Sequence, residues 1–466
     1  MKPSATRKSK DSPTRNSSRP GTYFQSLMLQ NVRCFGEEPQ ALQFVDERGQ
    51  LARWTILLGE NGTGKTTVLQ TLGLLQTKLP PLQINKDYEF INFQIPSYIV
   101  ATELSKMIFT AKAVARATIR SNVALSGNID REGETRDFEF IARGPFLGWE
   151  PSPPQEGYAN CFGYGAGRRL SQSPLDGDDS FDAVRSLDAI RSLFDDHAPL
   201  RNAEDWLIRL DYSTNRASQK RKRKQQHRLD QVKTLLIGVL PDVEDIRFGS
   251  TTGPNPRPVI EFQTPYGWVP LRQLGYGYQS MIGWVVDLVS RMVETYPDSP
   301  DPLAEPAVVL VDEIDLHLHP KWQRDLISFL TERFPNTQFI ATAHSPLIVQ
   351  AAASVGANLA VLRREGDHVV IDNDVDSIRN WRLDQISTSK LFGLESARPP
   401  DLDRPLKRRK ELLTKAKLTA SEKRELAALE AEIGDLPTGE TAEQAKTMTL
   451  IEDALKALEK HQETGS

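Results

Sequence analysis

One glycine-rich octapeptide constrains the fold of this chain more than any other feature. It follows a short apolar run, residues 54–58, and precedes a stretch with helical character, residues 68–75. Its eight positions match the Walker A pattern completely, and they are Gly59, Glu60, Asn61, Gly62, Thr63, Gly64, Lys65 and Thr66. Such a loop places backbone N–H groups around a phosphate at the positive end of a helix. The sequence therefore predicts an α/β fold with a phosphate site between a buried strand and a helix.

The end of this loop carries side chains suited to a nucleoside triphosphate. We expect the Lys65 ammonium group to reach the β- and γ-phosphates, and the Thr66 hydroxyl to bind Mg²⁺. Thr67 follows in the helix and belongs to the expected nucleotide site. A glycine-rich turn without function is the alternative, but the flanking strand and helix favour a phosphate site. The pattern thus predicts ATP and Mg²⁺ as ligands.

A second apolar run ends in two acids. Residues Val308 to Val311 are apolar, and Asp312 and Glu313 follow at once. A Walker B strand has this form, with the first acid holding Mg²⁺ and the second polarising the attacking water. We therefore predict Asp312 as a metal ligand and Glu313 as the catalytic base. Because many buried strands end in acids, this prediction depends on the Walker A loop upstream.

A third apolar run, Phe339 to Thr342, is followed by His344. Strands and helices with short junctions favour a parallel sheet in an α/β domain. We expect His344 to lie at the end of a strand beside the Walker B strand and to hydrogen-bond the γ-phosphate. The two histidines at 317 and 319 offer only a partial ligand set for a metal, and they indicate a loop next to the nucleotide.

Composition and charge exclude several classes of protein. The 466 residues include 58 Lys and Arg against 62 Asp and Glu, so the net charge of −4 excludes a wholesale polyanion binder. Two cysteines, Cys34 and Cys161, indicate a reducing compartment and no disulfide framework. The most continuous apolar runs have about five residues, against about 20 for a membrane span, and no secretory signal is recognisable. We expect a cytoplasmic protein with no membrane partner.

Together the motifs resemble the ATP-binding-cassette (ABC) ATPases of the RecF/Rad50/SMC type. The resemblance implies that Asp315 belongs to the D-loop, that His344 is the switch histidine, and that two chains dimerise with ATP sandwiched between them. It also implies a signature motif at the start of a helix, and residues 274–280, Leu-Gly-Tyr-Gly-Tyr-Gln-Ser, occupy that place. Gly277 fits the motif, whereas Gly275 replaces its serine. We therefore expect a weakened contact with the γ-phosphate of the opposite protomer, through backbone N–H groups and the helix dipole.

Three looser features are similar to the ATPase subunit of Septu anti-phage systems. They are residues 31–35, 163–169 and 389–394. Arg33 in the first and Arg168 in the second are candidates for nucleotide contacts, with surface arginines as the alternative. The chain contains a motor or switch and no effector, so the resemblance implies regulation of a partner nuclease of the HNH type. No glutamine fits the Q-loop well, and the only candidates are Gln76 and Gln83.

Along the chain, the expected organisation has five segments. They are a disordered basic arm at 1–22, a first ATPase lobe with Walker A at 23–170, an inserted helical and basic region at 171–235, a second ATPase lobe with the signature, Walker B and switch histidine at 236–400, and a helical tail at 401–466. The helix after the signature, 278–293, is predicted to be amphipathic. In the tail, the pairs Thr419 with Glu422 and Thr441 with Gln444 fit capping boxes. An apolar seam suits a partner helix or the chain's own ATPase domain, and it consists of Met448, Ile451, Leu455 and Leu458.

Other functions remain compatible with this sequence. A RecF-like DNA repair ATPase would bind DNA directly, and the basic run at 220–224 and the basic arm are the features for it. A solvated charged helix and a tail are the alternative, which the pattern favours. A non-hydrolysing scaffold held together by ATP is disfavoured by Glu313, because a pure binding site needs no water-polarising acid. Residues 365–366 and 372–374 mimic part of a Toprim nuclease, but their short spacing predicts a β-hairpin instead.

Overall fold

The structure is a computed structural model, and it divides the chain into two compact units, Met1–Leu383 and Asp384–Ser466. The described residues are 21–46, 48–76, 109–123, 136–143, 159–171, 186–216, 219–250, 257–375, 378, 380–394, 396, 398–415 and 418–433. The predicted basic arm up to residue 20, Gln83, the pair Thr441 and Gln444, and the apolar seam at 448–458 lie outside them.

The first unit alternates strands and helices. In chain order its elements are β1 (Gly21–Val32), β2 (Gln40–Gln43), β3 (Trp54–Leu58), α1 (Lys65–Leu75), β4 (Phe109–Val123), β5 (Arg136–Arg143), β6 (Cys161–Tyr164), α2 (Ala203–Arg216), α3 (Gln219–Val239), β7 (Asp245–Ser250), β8 (Pro258–Thr264), β9 (Gly267–Pro270), α4 (Tyr276–Thr295), β10 (Ala307–Val311), α5 (Pro320–Arg333), β11 (Thr337–Thr342), α6 (Pro346–Ser354), β12 (Asn358–Glu365) and β13 (His368–Asp372). Short 3₁₀ turns lie at Arg191–Leu193, Leu271–Gln273 and Pro302–Ala304.

A six-stranded sheet organises the functional motifs. Its spatial order is β13-β12-β3-β11-β10-β6, and neighbouring strands run parallel except for β13, which returns antiparallel to β12. This arrangement confirms the predicted α/β fold. The pairing of Glu365 with His368 closes a two-residue turn, so the hairpin predicted at 365–366 is also confirmed.

The three strands that precede the motifs are buried at every position. β3, β10 and β11 are apolar or carry Thr and Gln, the composition of a parallel sheet that is covered on both faces. Trp54 and Phe339 stack across neighbouring strands with ring centroids 4.2 Å apart. Burying these side chains drives sheet formation, and it brings the ends of the three strands to one edge.

A second sheet covers the Walker A helix. Its order is β2-β1-β4-β5, and all its pairs are antiparallel. Tyr23, Phe24 and Leu27 of β1 join one apolar cluster with Leu69 and Leu72 of α1. Helix α1 is buried from Thr67 to Leu75, so the cluster stabilises the helix whose first turn belongs to the phosphate loop.

The region between β6 and β10 is more regular than the sequence indicates. Helices α2 and α3 are followed by the antiparallel sheet β7-β8-β9 and then by α4. The prediction of an amphipathic helix at 278–293 is wrong in one respect, because α4 is buried on all sides from Ser280 to Met292. Asp287 and Arg291 form an ion pair within this buried helix. In the sequence, two charged residues on one side of a helix look like a face exposed to solvent, and this explains the wrong prediction.

The second unit contains a helical hairpin. Its elements are α7 (Leu383–Ser387), which begins at the boundary, α8 (Pro400–Leu413) and α9 (Ala420–Ile433). The capping box at Thr419 is confirmed: the Glu422 N–H donates to Thr419 Oγ1 at 3.3 Å, and the Thr419 N–H donates to Glu422 Oε2 at 2.8 Å. Arg408 joins α8 to α9 through two bonds to the Glu425 carboxylate. Within the described residues, no helix has the length and apolar character needed to cross a membrane.

Candidate nucleotide-binding site

The Walker A residues form the turn between β3 and α1. Gly62 and Gly64 have φ angles of +80° and +83°, which residues with a Cβ rarely adopt. A Cβ at Gly64 would also lie only 2.5 Å from Cys34 Sγ. Glycine is therefore required for the loop to turn into the helix beside the end of β1.

The loop is fixed at its base and open at its tip. The Thr63 hydroxyl is buried and donates to the carbonyl oxygen of Glu60 at 2.8 Å, whereas Glu60, Asn61 and Gly62 are exposed. The Lys65 ammonium group donates to the carbonyl oxygens of Gly59 and Glu60, both at 2.8 Å.

The charge of Lys65 is available for a phosphate. Burial lowers the pKa of Lys65 below its ordinary value, and the carboxylates of Asp312, Glu313 and Asp315 oppose that shift. Its present partners are neutral carbonyls, which a polyphosphate anion would outcompete. This position agrees with the predicted role of Lys65.

The predicted metal ligands meet across the sheet. Thr66 Oγ1 donates to Asp312 Oδ2 at 2.7 Å, and the Thr342 hydroxyl donates to Asp312 Oδ1 at 2.6 Å. Thr342 ends β11, which lies between the Walker A strand and the Walker B strand. The sheet order therefore explains why one carboxylate reaches both hydroxyls.

These residues fit a magnesium ion. Mg²⁺ binds oxygens at about 2.1 Å in an octahedron, so neighbouring ligands lie about 3 Å apart, close to the distance between the Thr66 hydroxyl and the Asp312 carboxylate. No group of three or more His, Cys, Asp or Glu in the described part of the chain could hold a metal by itself. A metal here would need additional oxygens from phosphates and water, as Mg²⁺ commonly does.

Glu313 follows Asp312 in an uncommon backbone conformation. Its φ is +47°, its N–H donates to Thr342 Oγ1 at 2.7 Å, and its carbonyl oxygen accepts from Arg168 Nη2 at 2.6 Å. None of the described residues hydrogen-bonds to its carboxylate, which is partly exposed. The carboxylate is therefore available to accept a proton from water.

Arg168 is a buried residue beside the acids rather than a surface arginine. It is 3% exposed, and burial lowers its pKa to about 10 despite the opposing carboxylates of Asp312, Glu313 and Asp315. From the sequence, Arg168 is only a candidate for nucleotide contact. The signal for it in the sequence is the glycine-rich stretch at 163–169, which begins in the buried strand β6.

Asp315 and His344 are brought together. The His344 N–H donates to Asp315 Oδ2 at 3.0 Å, and the His344 side chain is exposed at the end of β11. Ser345 then caps α6 by accepting from the Leu347 N–H at 3.2 Å. The structure thus places the imidazole beside the Walker B strand, as the sequence predicts, with its ring free of hydrogen bonds to described residues.

Arg33 and Gln76 take different positions. Arg33 is exposed on the loop after β1, and its guanidinium donates to Thr67 Oγ1 at 3.4 Å and to Gln70 Oε1 at 3.1 Å, on the first turns of α1. Gln76 is buried at the end of the same helix, where Oε1 accepts from the Ala159 N–H at 2.7 Å. Arg33 therefore lies next to the phosphate loop, whereas this Q-loop candidate holds the start of β6.

The signature residues contact the loop that carries Asp315. Gly275 is the N-cap of α4, and a Cβ at Gly277 would lie 2.5 Å from the carbonyl oxygen of His317. The rings of Tyr276 and His317 meet edge to face at 4.7 Å. His319 caps α5 by accepting from the Lys321 N–H at 3.2 Å. Gly277 and Tyr276 thus form a surface with the loop that carries Asp315, and Gly275 begins the helix beside it.

Comparison with known proteins agrees with this geometry. A sequence family described as "AAA domain, putative AbiEii toxin, Type IV TA system" matches residues 55–350, the range that contains the Walker A loop, the signature, Walker B and His344. The chain belongs to this AAA-domain family. The resemblance to the Septu group is confirmed, because Septu proteins are among the relatives of this chain.

Individual relatives are similar to this AAA-domain protein over different lengths and at different levels of identity. The Septu protein PtuA of Bacillus mycoides (strain KBAB4) is 26% identical over 392 residues, which cover 84% of this chain and 47% of PtuA. The Retron Ec83 probable ATPase of Escherichia coli is 32% identical over 158 residues, 34% of this chain and 28% of that protein. The chain therefore spans less than half the length of either relative. The SMC head domain from Thermotoga maritima has 13% identity and a TM-score of 0.36, covering 76% of this chain and 99% of that domain.

Proposed function

We propose that this protein is an Mg²⁺-dependent ATPase that acts as an ATP-gated switch. One observation carries the proposal: the Thr66 hydroxyl and the Asp312 carboxylate meet at 2.7 Å, and Glu313 follows with its carboxylate free of described partners. A site that only bound ATP would need the first pair but not the acid. The arrangement therefore supports hydrolysis rather than a non-hydrolysing scaffold.

Each residue of the site has a chemical task in this proposal. Lys65 and the backbone N–H groups of the loop bind the phosphates. Thr66 and Asp312 would hold Mg²⁺, which neutralises phosphate charge when bound. Glu313 orients a water molecule and accepts its proton. His344, exposed just after β11, would donate to the γ-phosphate.

We also propose that two copies dimerise around ATP. Support comes from the surface that Gly277 and Tyr276 form with the loop that carries Asp315, on which Tyr276 is 52% exposed. This surface presents the N-terminus of α4, which is positively polarised and suits the phosphates of a nucleotide held by a second copy. Gly275 lacks the hydroxyl that the motif's serine would present on this surface, so we expect a weaker contact with the nucleotide than a serine would give.

The biological role in this proposal is bacterial anti-phage defence, with the ATPase regulating a partner nuclease of the HNH type. Similarity to the Septu protein PtuA over 84% of the chain supports this role, as does the similarity to a retron ATPase. The nucleotide site supplies the switch, and in this proposal a second protein carries the effector activity. Cys34 and Cys161 are free thiols, which suits a cytoplasmic location.

A second candidate function, direct DNA binding, is favoured by one surface. Lys222, Arg223 and Lys224 are exposed near the start of α3, in a protein whose net charge is −4. Duplex binding by this helix would weaken steeply with salt, because phosphate contacts release counterions. Fluorescence anisotropy with a labelled duplex, comparing the parent with a Lys222→Glu/Arg223→Glu variant at two salt concentrations, tests this candidate.

Phosphate release from ATP tests the main proposal. The full-length chain should release phosphate with Mg²⁺ and not with EDTA, and Lys65→Ala should neither bind nor hydrolyse ATP. Lys423→Ala is the matched control, because Lys423 is exposed on α9. Tight ATP binding without phosphate release by the parent protein would favour the scaffold and contradict the ATPase.

A further inference from the structure

The peptide of Glu313 is held from both sides of its strand. β10 lies between β11 and β6 in the sheet, and Glu313, the residue after Asp312, forms one hydrogen bond on each side. Its N–H donates to Thr342 Oγ1 at the end of β11, at 2.7 Å. Its carbonyl oxygen accepts from Arg168 Nη2, on the loop after β6, at 2.6 Å. The proposed chemistry uses neither of these two residues directly.

Glu313 needs such support because of its backbone conformation. At a φ of +47°, a residue with a Cβ lies in the left-handed region, which is less favourable than the ordinary backbone conformations. A residue stays in this region only when its surroundings fix it. Loss of one hydrogen bond would allow the peptide to rotate, and the attached carboxylate would move with it.

Arg168 is placed for this task by its burial and its charge. The side chain is 3% exposed, and its Nε has no hydrogen-bond partner among the described residues. Burying a guanidinium group with an unsatisfied donor is costly. The nearby acids Asp312, Glu313 and Asp315 offset part of that cost. A long, planar cation spans the distance from the β6 loop to the Glu313 carbonyl, and the acids hold it there.

The loop that carries Arg168 is itself fixed. The Ser192 hydroxyl donates to the Gly163 carbonyl oxygen at 3.0 Å, and the Gly165 N–H donates to the Ser192 oxygen at 3.3 Å. Beyond Arg168, the carbonyl oxygen of Arg169 accepts from the Leu200 N–H at 3.1 Å. With both ends of the loop anchored, the guanidinium position is determined by the fold and not by a flexible chain.

We propose that Arg168 is a positioning residue for ATP hydrolysis, which orients the base Glu313 by holding its carbonyl oxygen. This inference rests on the proposed ATPase function with Glu313 as the base. It differs from a direct nucleotide contact, because Arg168 acts on the backbone of another residue. Substitution of Arg168 should therefore reduce turnover and leave ATP affinity nearly unchanged.

Arg168→Lys is the first test, because lysine keeps the charge but loses the fork and part of the reach. We expect kcat to fall about 10- to 100-fold, the size of effect that a small misplacement of a catalytic group causes. The dissociation constant for a fluorescent ATP analogue should stay within about twofold, and the melting transition should be retained. Arg169→Lys, an exposed neighbour on the same loop, should behave as the parent. If Arg168→Lys fails to fold, Arg168→Gln gives the same separation of kcat from affinity.

A double-mutant cycle with Glu313→Gln decides the mechanism. If Arg168 acts through Glu313, adding Arg168→Lys to Glu313→Gln should reduce single-turnover hydrolysis no further. Three outcomes would overturn the positioning role alone. They are a double variant whose loss of turnover is the product of the two single losses, parental turnover in Arg168→Lys, and a large fall in the ATP affinity of Arg168→Lys. Parental turnover in Glu313→Gln would instead overturn the base assignment, and the role of Arg168 with it.

Discussion

At the residue scale, Thr342 joins Asp312, the proposed metal ligand, to Glu313, the proposed base. Its hydroxyl donates to Asp312 Oδ1 at 2.6 Å and accepts from the Glu313 N–H at 2.7 Å. The residue is completely buried, so water cannot replace either bond. One hydroxyl thus fixes two neighbouring functional residues relative to the Walker A strand.

This arrangement predicts different effects for two substitutions at Thr342. Thr342→Val keeps the shape but leaves a buried N–H and a carboxylate oxygen unpaired, which should lower the free energy of unfolding by about 1–3 kcal/mol and reduce ATP turnover. Thr342→Ser retains the hydroxyl, so it should keep most of the turnover. Chemical denaturation and phosphate release measure the two effects. Equal turnover in the Val and Ser variants would show that the hydroxyl has no part in catalysis.

The Walker residues could be predicted from the sequence, whereas their supports could not. Gly59 to Thr66 form a local pattern, and each role follows from chemistry within one loop. Thr342 and Arg168 each form a hydrogen bond to the backbone of Glu313. They lie 29 and 145 residues away from it along the chain. Such contacts depend on the order of strands in the sheet, which the sequence pattern does not specify.

At the element scale, the signature helix α4 is anchored by a buried charge. Asp287 is 1% exposed and accepts from the Tyr164 hydroxyl at 2.9 Å, from the Arg201 N–H at 3.0 Å, and from Arg291 Nε at 2.7 Å. Burial alone would raise its pKa, but Arg291 and these hydrogen bonds hold it below the ordinary value. The network ties α4 to the end of β6, close to the loop that carries Arg168.

Asp287→Ala should therefore destabilise the protein strongly. It leaves Arg291 buried without its main partner, which should lower the free energy of unfolding by about 3–5 kcal/mol.

The stabilisation by Asp287 should also depend on pH, because its pKa is lower in the folded state than in the unfolded state. The contribution of Asp287 to the free energy of unfolding is complete above the pKa of free aspartate, about 3.9. It is lost as the pH falls through the folded value. Denaturation at pH 7 and pH 3 checks both statements. Glu261→Ala, at the more exposed Arg247 pair, is the control and should cost about 0–1 kcal/mol. Equal losses in the two variants would contradict the buried network.

Elements with strong local patterns were predictable, and elements defined by distant pairing were not. β3, β10 and β11 are short apolar runs that end in motifs, and their sequences identify them. β1 pairs with β4 through partners such as Leu27 with Ala117, far apart along the chain, and the region from 77 to 230 gives only a weak alternating pattern. The amphipathic reading of α4 failed because Asp287 and Arg291 satisfy each other in the interior.

At the scale of the whole molecule, ATP should control assembly. The signature surface and the Walker A loop are both presented by the first unit, and we propose that each completes the site of a second copy.

With Mg²⁺-ATP, the Glu313→Gln variant should accumulate as a dimer, because the ATP that holds the two copies together is no longer hydrolysed. Light scattering should then show a doubled mass with ATP and not with ADP. Gly277→Leu, which would clash with the His317 carbonyl oxygen, should prevent the change. Gly249→Leu is the control, because Gly249 is exposed on β7 and a side chain there meets only ordinary van der Waals contacts. An unchanged mass of Glu313→Gln with ATP would contradict dimerisation around the nucleotide.

The most direct measurement compares ATP binding and ATP turnover in the parent and Glu313→Gln, using the same preparations. The substitution preserves the shape of the side chain and leaves Asp312, Thr66 and Lys65 in place. Titration calorimetry should give nearly equal ATP affinities, while phosphate release by the variant should be lower by roughly 10²-fold or more, because the acceptor for the water's proton is removed. Turnover at the parental rate in Glu313→Gln would contradict the assignment of Glu313 as the base of an ATPase.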